Sequence, residues 1–300
     1  MMSEQFWFVE DGAENVIISF RALQRVYAGR SRYGRIDVID TVEYGRMLFL
    51  DGIVQSAALD EFIYHESLVH PAMLVHPAPR TVCVIGGAEG ATIREVAKYG
   101  DVRHIVMVDI DGELVKVCRR YLPEWSAGAY GDQRLELRIA DGRRYLEETE
   151  ETFDVILVDL GDPTAGSPAL SLFTREFYNL VFRRLTSQGL ACFQGEDLQP
   201  NRLAFHARMV NTIRSVFPRV VPYPYLLPSF HGLCGHILAS KDLDPRTLAL
   251  GERLEGQPFR LRYLSPAFLS GLFRLPTYVE EAYDRYREII TDADPCPFRP

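Results

Sequence analysis

The chain has 300 residues, a formal net charge of −8, 47% apolar and 25% charged residues. This length holds one large domain or two domains with separate cores, and the acidic balance argues against nonspecific nucleic-acid binding, which needs a basic face. No apolar run reaches membrane-spanning length, and the start MMSEQFWFVEDG lacks the basic and apolar parts of a signal peptide. The expectation is therefore a cytoplasmic protein without a membrane or nucleic-acid partner. Cys83, Cys118, Cys192, Cys234 and Cys296 are odd in number, scattered and without a C-x-x-C pair, which fits reduced thiols and neither a disulfide framework nor a zinc site.

Residues 5–60 differ from the rest of the chain. Short β-like runs at 16–20, 34–44 and 46–51 are separated by turn signals at Gly45 and Asp51-Gly52, predicting a small antiparallel N-terminal sheet. The segment EFIYHESLVHPAMLV, residues 61–75, has helical apolar spacing and ends before Pro77 and Pro79. The expected division is 1–75, the β-rich part with its linking helix, and 76–300.

The segment TVCVIGGAEG, residues 81–90, runs from an apolar strand into a glycine-dense turn, and 91–99 reads as a helix. Strand, glycine turn and helix present a nucleoside ligand in doubly wound α/β folds. Gly86 and Gly87 make the turn, but Ile85 breaks the strict dinucleotide pattern. Glu89 is unsuited to a phosphate-cradling loop, because like charges repel. It suits a cationic nucleoside of the S-adenosylmethionine kind.

Strands then alternate with helices: strands at 104–109, 135–139, 153–159 and 189–194, helices at 112–121, 142–148, 174–185 and 203–217. This implies a mostly parallel, doubly wound Rossmann-like sheet covered on both faces, packed closely on the N-terminal part. Asp109 ends the second strand nineteen residues after Gly90, where an acidic residue binds ribose hydroxyls. Asp111 is the better N-cap for the next helix. Asp141-Gly142 fits either an ordinary turn or an acceptor for an adenine amino group. Asp159 and Asp162 follow the fourth strand. Paired carboxylates there can hold an ammonium and accept its proton, and their mutual repulsion would raise at least one pKa. Gln55, Asp60, Tyr64, His65 and Glu66 form a polar and aromatic cluster at the junction. His65, His70 and His76 are spaced by five and six, which does not place metal ligands on one helical face, so no metal is expected.

Together these residues resemble the polyamine aminopropyltransferases, the spermidine and spermine synthase family. The resemblance rests on Gln55 with DEFIYHE at 60–66, the loop at 86–90, VDID at 108–111, Asp141-Gly142, Asp159-x-x-Asp162-Pro163 and LFTxxFY at 172–178. Glu89 and the long loop after Asp162 are most similar to thermospermine synthases and thermophilic agmatine or triamine aminopropyltransferases. The family pattern implies decarboxylated S-adenosylmethionine as co-substrate, no permanently bound cofactor, a polyamine acceptor and a homodimer or homotetramer. It implies Asp159 as the base, Glu89 and Asp162 as carboxylates for the amines, Asp109 for ribose and Asp141 for adenine. Gln55, Tyr64 and His65 would line the amine channel, extended by Glu66 and Asp60, and Phe230 stands where the family carries a tyrosine. The alternatives are a methyltransferase-like enzyme using S-adenosylmethionine itself and a catalytically silent nucleoside-binding homologue.

Overall fold

The computed structural model describes residues 6–10 and 16–298. Its first sheet is an antiparallel meander of β1 (Phe6–Val9), β2 (Ser19–Arg30), β3 (Arg35–Thr41), β4 (Gly45–Leu50) and β5 (Ile53–Ala57). Asp51 and Gly52, at φ 49° and 86°, make the two-residue loop that pairs Leu50 with Ile53. Such loops need positive φ to match strand twist, and Asp-Gly supplies it. The run expected at 16–20 becomes strand only from Ser19. The run at 34–44 stops at Thr41, whose hydroxyl accepts the Tyr44 N–H and donates to the Gly45 carbonyl to close a turn. β5 was not anticipated, because Gln55 and Ser56 mask its apolar character.

The second sheet contains β6 (Thr81–Gly86), β7 (His104–Asp109), β8 (Leu135–Ile139), β9 (Phe153–Asp159), β10 (Leu185–Asp197), β11 (Arg219–Leu227) and β12 (Gly232–Ser240). Its spatial order is β11-β12-β10-β9-β6-β7-β8. The strands from β10 to β8 are parallel, while β12 runs antiparallel to β10 and β11. The sheet is therefore mixed rather than simply parallel. β11 and β12 escape a sequence reading because Pro222 and Pro224 interrupt the first of them. Proline is tolerated there because β11 is an edge strand.

The helices are α1 (Glu61–Val75), α2 (Ala91–Ala97), α3 (Gly112–Tyr121), α4 (Pro123–Ser126), α5 (Gly142–Glu148), α6 (Arg175–Arg184), α7 (Leu203–Arg214), α8 (Leu250–Glu255), α9 (Pro266–Leu269) and α10 (Thr277–Arg285). Alternation along the strands splits the core in two. Cys83, Ile85, Val106 and Ile156 face α5, α6, α7 and α10; Val82, Val84, Ile105 and Val155 face α1, α2 and α8. α1 is buried nearly all round because it lies on the second sheet and against α2. The first sheet closes on the second through Ile36, Val38 and Leu48, which pack on Ala88, Ala91, Leu114 and Trp125. No described helix is long and apolar enough to cross a membrane.

Candidate active site

The strand order reverses between β6 and β9, and a ligand crevice opens at the carboxyl ends of strands at such a point. A cavity of about 430 Å³ lies there. Among the residues singled out from the sequence, Gln55, Tyr64, His65, Gly86, Gly87, Glu89, Asp109, Asp141, Gly142, Asp159, Asp162 and Phe230 line it. Leu48, Leu50 and Ile53 of the first sheet add an apolar wall.

The glycine turn is dictated by crowding. Gly86 and Gly87 sit at φ 85° and 78°, and a Cβ at Gly86 would lie 1.9 Å from the Asp159 carbonyl oxygen. That carbonyl accepts the Gly87 N–H at 3.0 Å, tying the turn to β9. Asp109 accepts N–H groups from Asp111 and Ala88. Burial nonetheless pushes its carboxyl up to about 6, with the charges of Asp111 and Asp159 adding to the rise. Asp111 caps α3, accepting the N–H groups of Glu113 and Leu114. Asp141 caps α5 through the Arg144 N–H and also borders the cavity, so its two sequence readings are compatible. Gly142 is packed on Ile85, 2.5 Å from where a Cβ would stand.

Asp159 sits at the centre. Its Oδ1 accepts the Tyr64 phenol at 2.7 Å and its Oδ2 accepts the Thr92 hydroxyl. Beside it, the His65 Nδ1–H donates to Glu61 Oε2 at 2.9 Å, and His65 Nε2 lies 3.5 Å from Glu89 Oε2. Burial works against protonation of His65, but the Glu61 carboxylate, Glu89 and Asp159 outweigh it and hold the imidazolium up to about 9. Burial pushes the Glu89 carboxyl up to about 8; His65 opposes this, and Asp159 and Glu61 reinforce it.

Asp162 does not pair with Asp159 as the sequence implied. Its carboxyl is hydrogen-bonded to Glu196, and burial together with the charge of Asp197 pushes it up to about 6. The same burial and the charge of Asp162 drive Glu196 well above the carboxylate range. These groups border a smaller cavity of about 80 Å³ that shares Tyr64, Asp162, Gln194 and Phe230 with the larger one. Glu10, Asp197, Arg202 and Tyr225 also line it, with Val16, Ile18 and Phe298 among its apolar residues. Glu196 stands at φ 63°, where the β10–β12 register slips between Gln194 and Asp197. Bulges of this kind re-aim a side chain next to active sites. Gln194 donates to Glu196 at 2.9 Å, and Glu10 accepts the Val54 N–H at 3.0 Å. Gln194 Oε1 and Glu10 Oε2 are buried without a partner.

Two carboxylates expected along the amine path lie off it. Glu66 accepts three backbone N–H groups, from Arg262, Tyr263 and Leu264. Asp60 accepts the N–H and hydroxyl of Ser229. Both therefore fasten chain segments rather than face the cavity. His70 bridges Tyr99 and Glu95, and His76 faces Asp154, so neither joins His65. The acidic pair Glu196-Asp197 was missed, although it closes an apolar strand as Asp109 and Asp159 do. Glu10 and Arg202 carry no local signal.

A nucleoside-type glycine turn on a sheet whose strands, taken in chain order, are arranged 3-2-1-4-5-7-6 defines a methyltransferase-like α/β protein. Comparison with known proteins narrows this. Residues 61–247 match the Spermine/spermidine synthase domain, and residues 6–57 match the Spermidine synthase tetramerisation domain. Polyamine aminopropyltransferase 2 of Hyperthermus butylicus is 40% identical over 96% of each chain. A Synechococcus polyamine aminopropyltransferase is 39% identical over 92% of each. A spermidine synthase crystallised in complex with the transition state analogue AdoDATO superposes with a TM-score of 0.89 at 31% identity, covering 95% of this chain and 97% of that one. The spermidine synthase of Thermotoga maritima gives 0.87 at the same identity, covering 95% and 96%. The chain belongs to the spermine/spermidine synthase family and is a transferase of the aminopropyltransferase class. The tetramerisation match at residues 6–57 supports oligomer formation.

Proposed function

We propose that this chain moves the aminopropyl group of decarboxylated S-adenosylmethionine onto a linear di- or polyamine, or agmatine, and releases methylthioadenosine. The observation that carries this reading is the position of Asp159 in the larger cavity, which holds the glycine turn and Asp109 and shares Tyr64, Asp162, Gln194 and Phe230 with the Asp162–Glu196 acid pocket.

In this reading Asp109 binds the ribose hydroxyls, Asp141 accepts from the adenine amino group, and Gly86 and Gly87 let the nucleoside approach the backbone. Glu89 receives the ammonium of the aminopropyl chain. The acceptor lies along Gln55, Tyr64, His65 and Phe230, with Asp162 toward the acid pocket. The free Glu10 Oε2 and Gln194 Oε1 offer acceptors to a distal ammonium. The acceptor nitrogen attacks the propyl carbon beside the sulfonium, a C–N bond forms, and the C–S electron pair returns to a neutral thioether. The rate requires an unprotonated nitrogen held about 3–3.5 Å from that carbon. Asp159, oriented by Tyr64 and Thr92, takes the proton. The leaving group carries no charge, so the chain's own carboxylates account for the chemistry. A homodimer or homotetramer would cover the exposed apolar side chains of Trp7 on β1 and Val42 in the turn between β3 and β4.

The test is mass spectrometry of products after incubating the intact and the decarboxylated donor separately with putrescine, agmatine, spermidine and longer triamines. Aminopropylated amine plus methylthioadenosine, from the decarboxylated donor only, is the expected result. Methylated product from the intact donor, or no product from any pair, would overturn the proposal.

A further inference from the structure

Glu61 and Arg94 do not line the cavity, yet Glu61 touches His65, which does, and Arg94 holds Glu61. Arg94 clamps Glu61 with both guanidinium ends, Nη1 to Oε1 and Nη2 to Oε2, each at 3.0 Å. A planar fork on a carboxylate fixes its orientation, which a lysine could not do. Glu61, one helical turn before His65, accepts the His65 Nδ1–H on its carbonyl at 2.7 Å and on its carboxylate at 2.9 Å, and leaves Nε2 facing Glu89. On the far side, Glu89 is hydrogen-bonded to the Ser56 hydroxyl. Ser56 accepts the Trp125 indole N–H at 2.7 Å, and the Trp125 carbonyl accepts from Arg94 at 2.7 Å. The contacts close into a ring, Glu89–His65–Glu61–Arg94–Trp125–Ser56, drawn from β5, α1, α2, α4 and the glycine loop.

Four of the six members are buried, Glu61 at 9% exposed, His65 3%, Ser56 4% and Trp125 3%, and Glu89 and Arg94 are half-buried. Around His65 stand the carboxylates of Glu61, Glu89 and Asp159, with Tyr64 on the same helix and His236 on β12. Around Glu89 stand His65, Asp159, Glu61 and Ser56, with Cys118 and Tyr130 further along the loop wall. One imidazolium thus faces three carboxylates. Were it neutral, Glu89 would have no cation and would keep its proton, since an unpaired buried charge is expensive.

We infer that Glu61 and Arg94 are positioning residues, which fix His65 as a cation with its Nε2–H aimed at Glu89, so that Glu89 is biased toward the ionised form that receives the donor ammonium. The inference rests on the proposed role of Glu89 in binding that ammonium.

The test begins with the ring nitrogens of His65, followed by NMR in the ligand-free protein. In the wild type both nitrogens stay protonated through pH 8. In Glu61→Gln the His65 titration moves down by about 1–3 pH units, the range for loss of an adjacent opposite charge. Glu61→Asp restores most of it. In steady-state kinetics the acidic limb of kcat/KM for the decarboxylated donor moves up in Glu61→Gln. Its KM rises about tenfold for each pH unit of that movement. Methylthioadenosine, which lacks the ammonium, keeps its affinity within about twofold, well under the ~1 kcal/mol of an ordinary lost hydrogen bond.

Should Glu61→Gln not fold, Ser56→Ala tests the opposite edge, with the same upward shift of the acidic limb and unchanged methylthioadenosine binding. An unmoved His65 titration in folded Glu61→Gln, an unmoved limb in Ser56→Ala, or equal weakening of donor and methylthioadenosine overturns the relay. Wild-type donor affinity in Glu89→Gln overturns the donor reading beneath it. The two failures are distinguishable, because the His65 titration requires no ligand.

Discussion

The proposed nucleoside and amine halves of the site are built differently. On the nucleoside side each polar residue belongs to the βα unit that presents it: Gly86 and Gly87 follow β6, Asp109 closes β7, and Asp141 caps α5 after β8. On the amine side the wall comes from Glu10, Gln55, Tyr64, Asp159, Asp162, Gln194, Glu196 and Phe230, spread over two sheets and more than two hundred residues. The nucleoside half can therefore be read as a run of short local patterns. The amine half exists only once the first sheet, α1 and the β10 bulge have been brought together. It is also the half where buried carboxylates contact one another, Asp162 on Glu196, and so the half that gains most from a cationic ligand.

The largest expected effect tests whether the two halves meet at Asp159. Asp159→Asn should lower kcat by roughly 100- to 10,000-fold, the usual cost of losing a positioned base, while leaving methylthioadenosine binding intact. Near-wild-type turnover would remove Asp159 from that place.

Glu89→Gln comes next. The intact donor adds a carboxylate to the one already there, and two like charges about 4 Å apart cost about 4 kcal/mol at an effective dielectric of 20. The wild-type preference for the decarboxylated donor should shrink by up to that amount in the variant, measured as the ratio of kcat/KM values. Equal use of both donors by the wild type would show that Glu89 does not select.

A smaller effect isolates the nucleoside half. Asp109→Ala should weaken methylthioadenosine by about 1.5–3 kcal/mol, the value of a hydrogen bond to a charged group. Acceptor preference should not change, because Asp109 belongs to its own βα unit. Calorimetry gives the first quantity and an amine panel the second. A shifted acceptor profile would mean that the halves are less separate than their construction implies.

The gentlest probe is pH. The Glu89 carboxyl is raised to about 8, so protons compete with a cationic donor below that value, and affinity should fall about tenfold per pH unit there. Methylthioadenosine, which carries no ammonium, should not show that limb in the same titration. Flat donor affinity from pH 6 to 9 would count against Glu89.

The sequence by itself determined the strand–glycine–helix unit at residues 81–97, the alternation of strands and helices after it, and the acidic residues closing β7 and β9. Each of these is set by local periodicity and by steric demands such as the positive φ at Gly86, which neighbouring residues express directly. It placed Glu66 and Asp60 on the amine path, because a carboxylate in a chemically suggestive motif looks the same whether it faces a ligand or three backbone N–H groups. It passed over β5, β11 and β12, since polar residues in one and prolines in another hide strands whose identity depends on an edge or a neighbour. Only the tertiary structure decided that Glu66 and Asp60 are fasteners, that Glu196 and Glu10 meet Asp162, and that Arg94 reaches Glu61. These are contacts between segments far apart in the chain, and which groups become buried together, and so which carboxyls rise and which imidazole stays charged, is fixed by packing that no local pattern records.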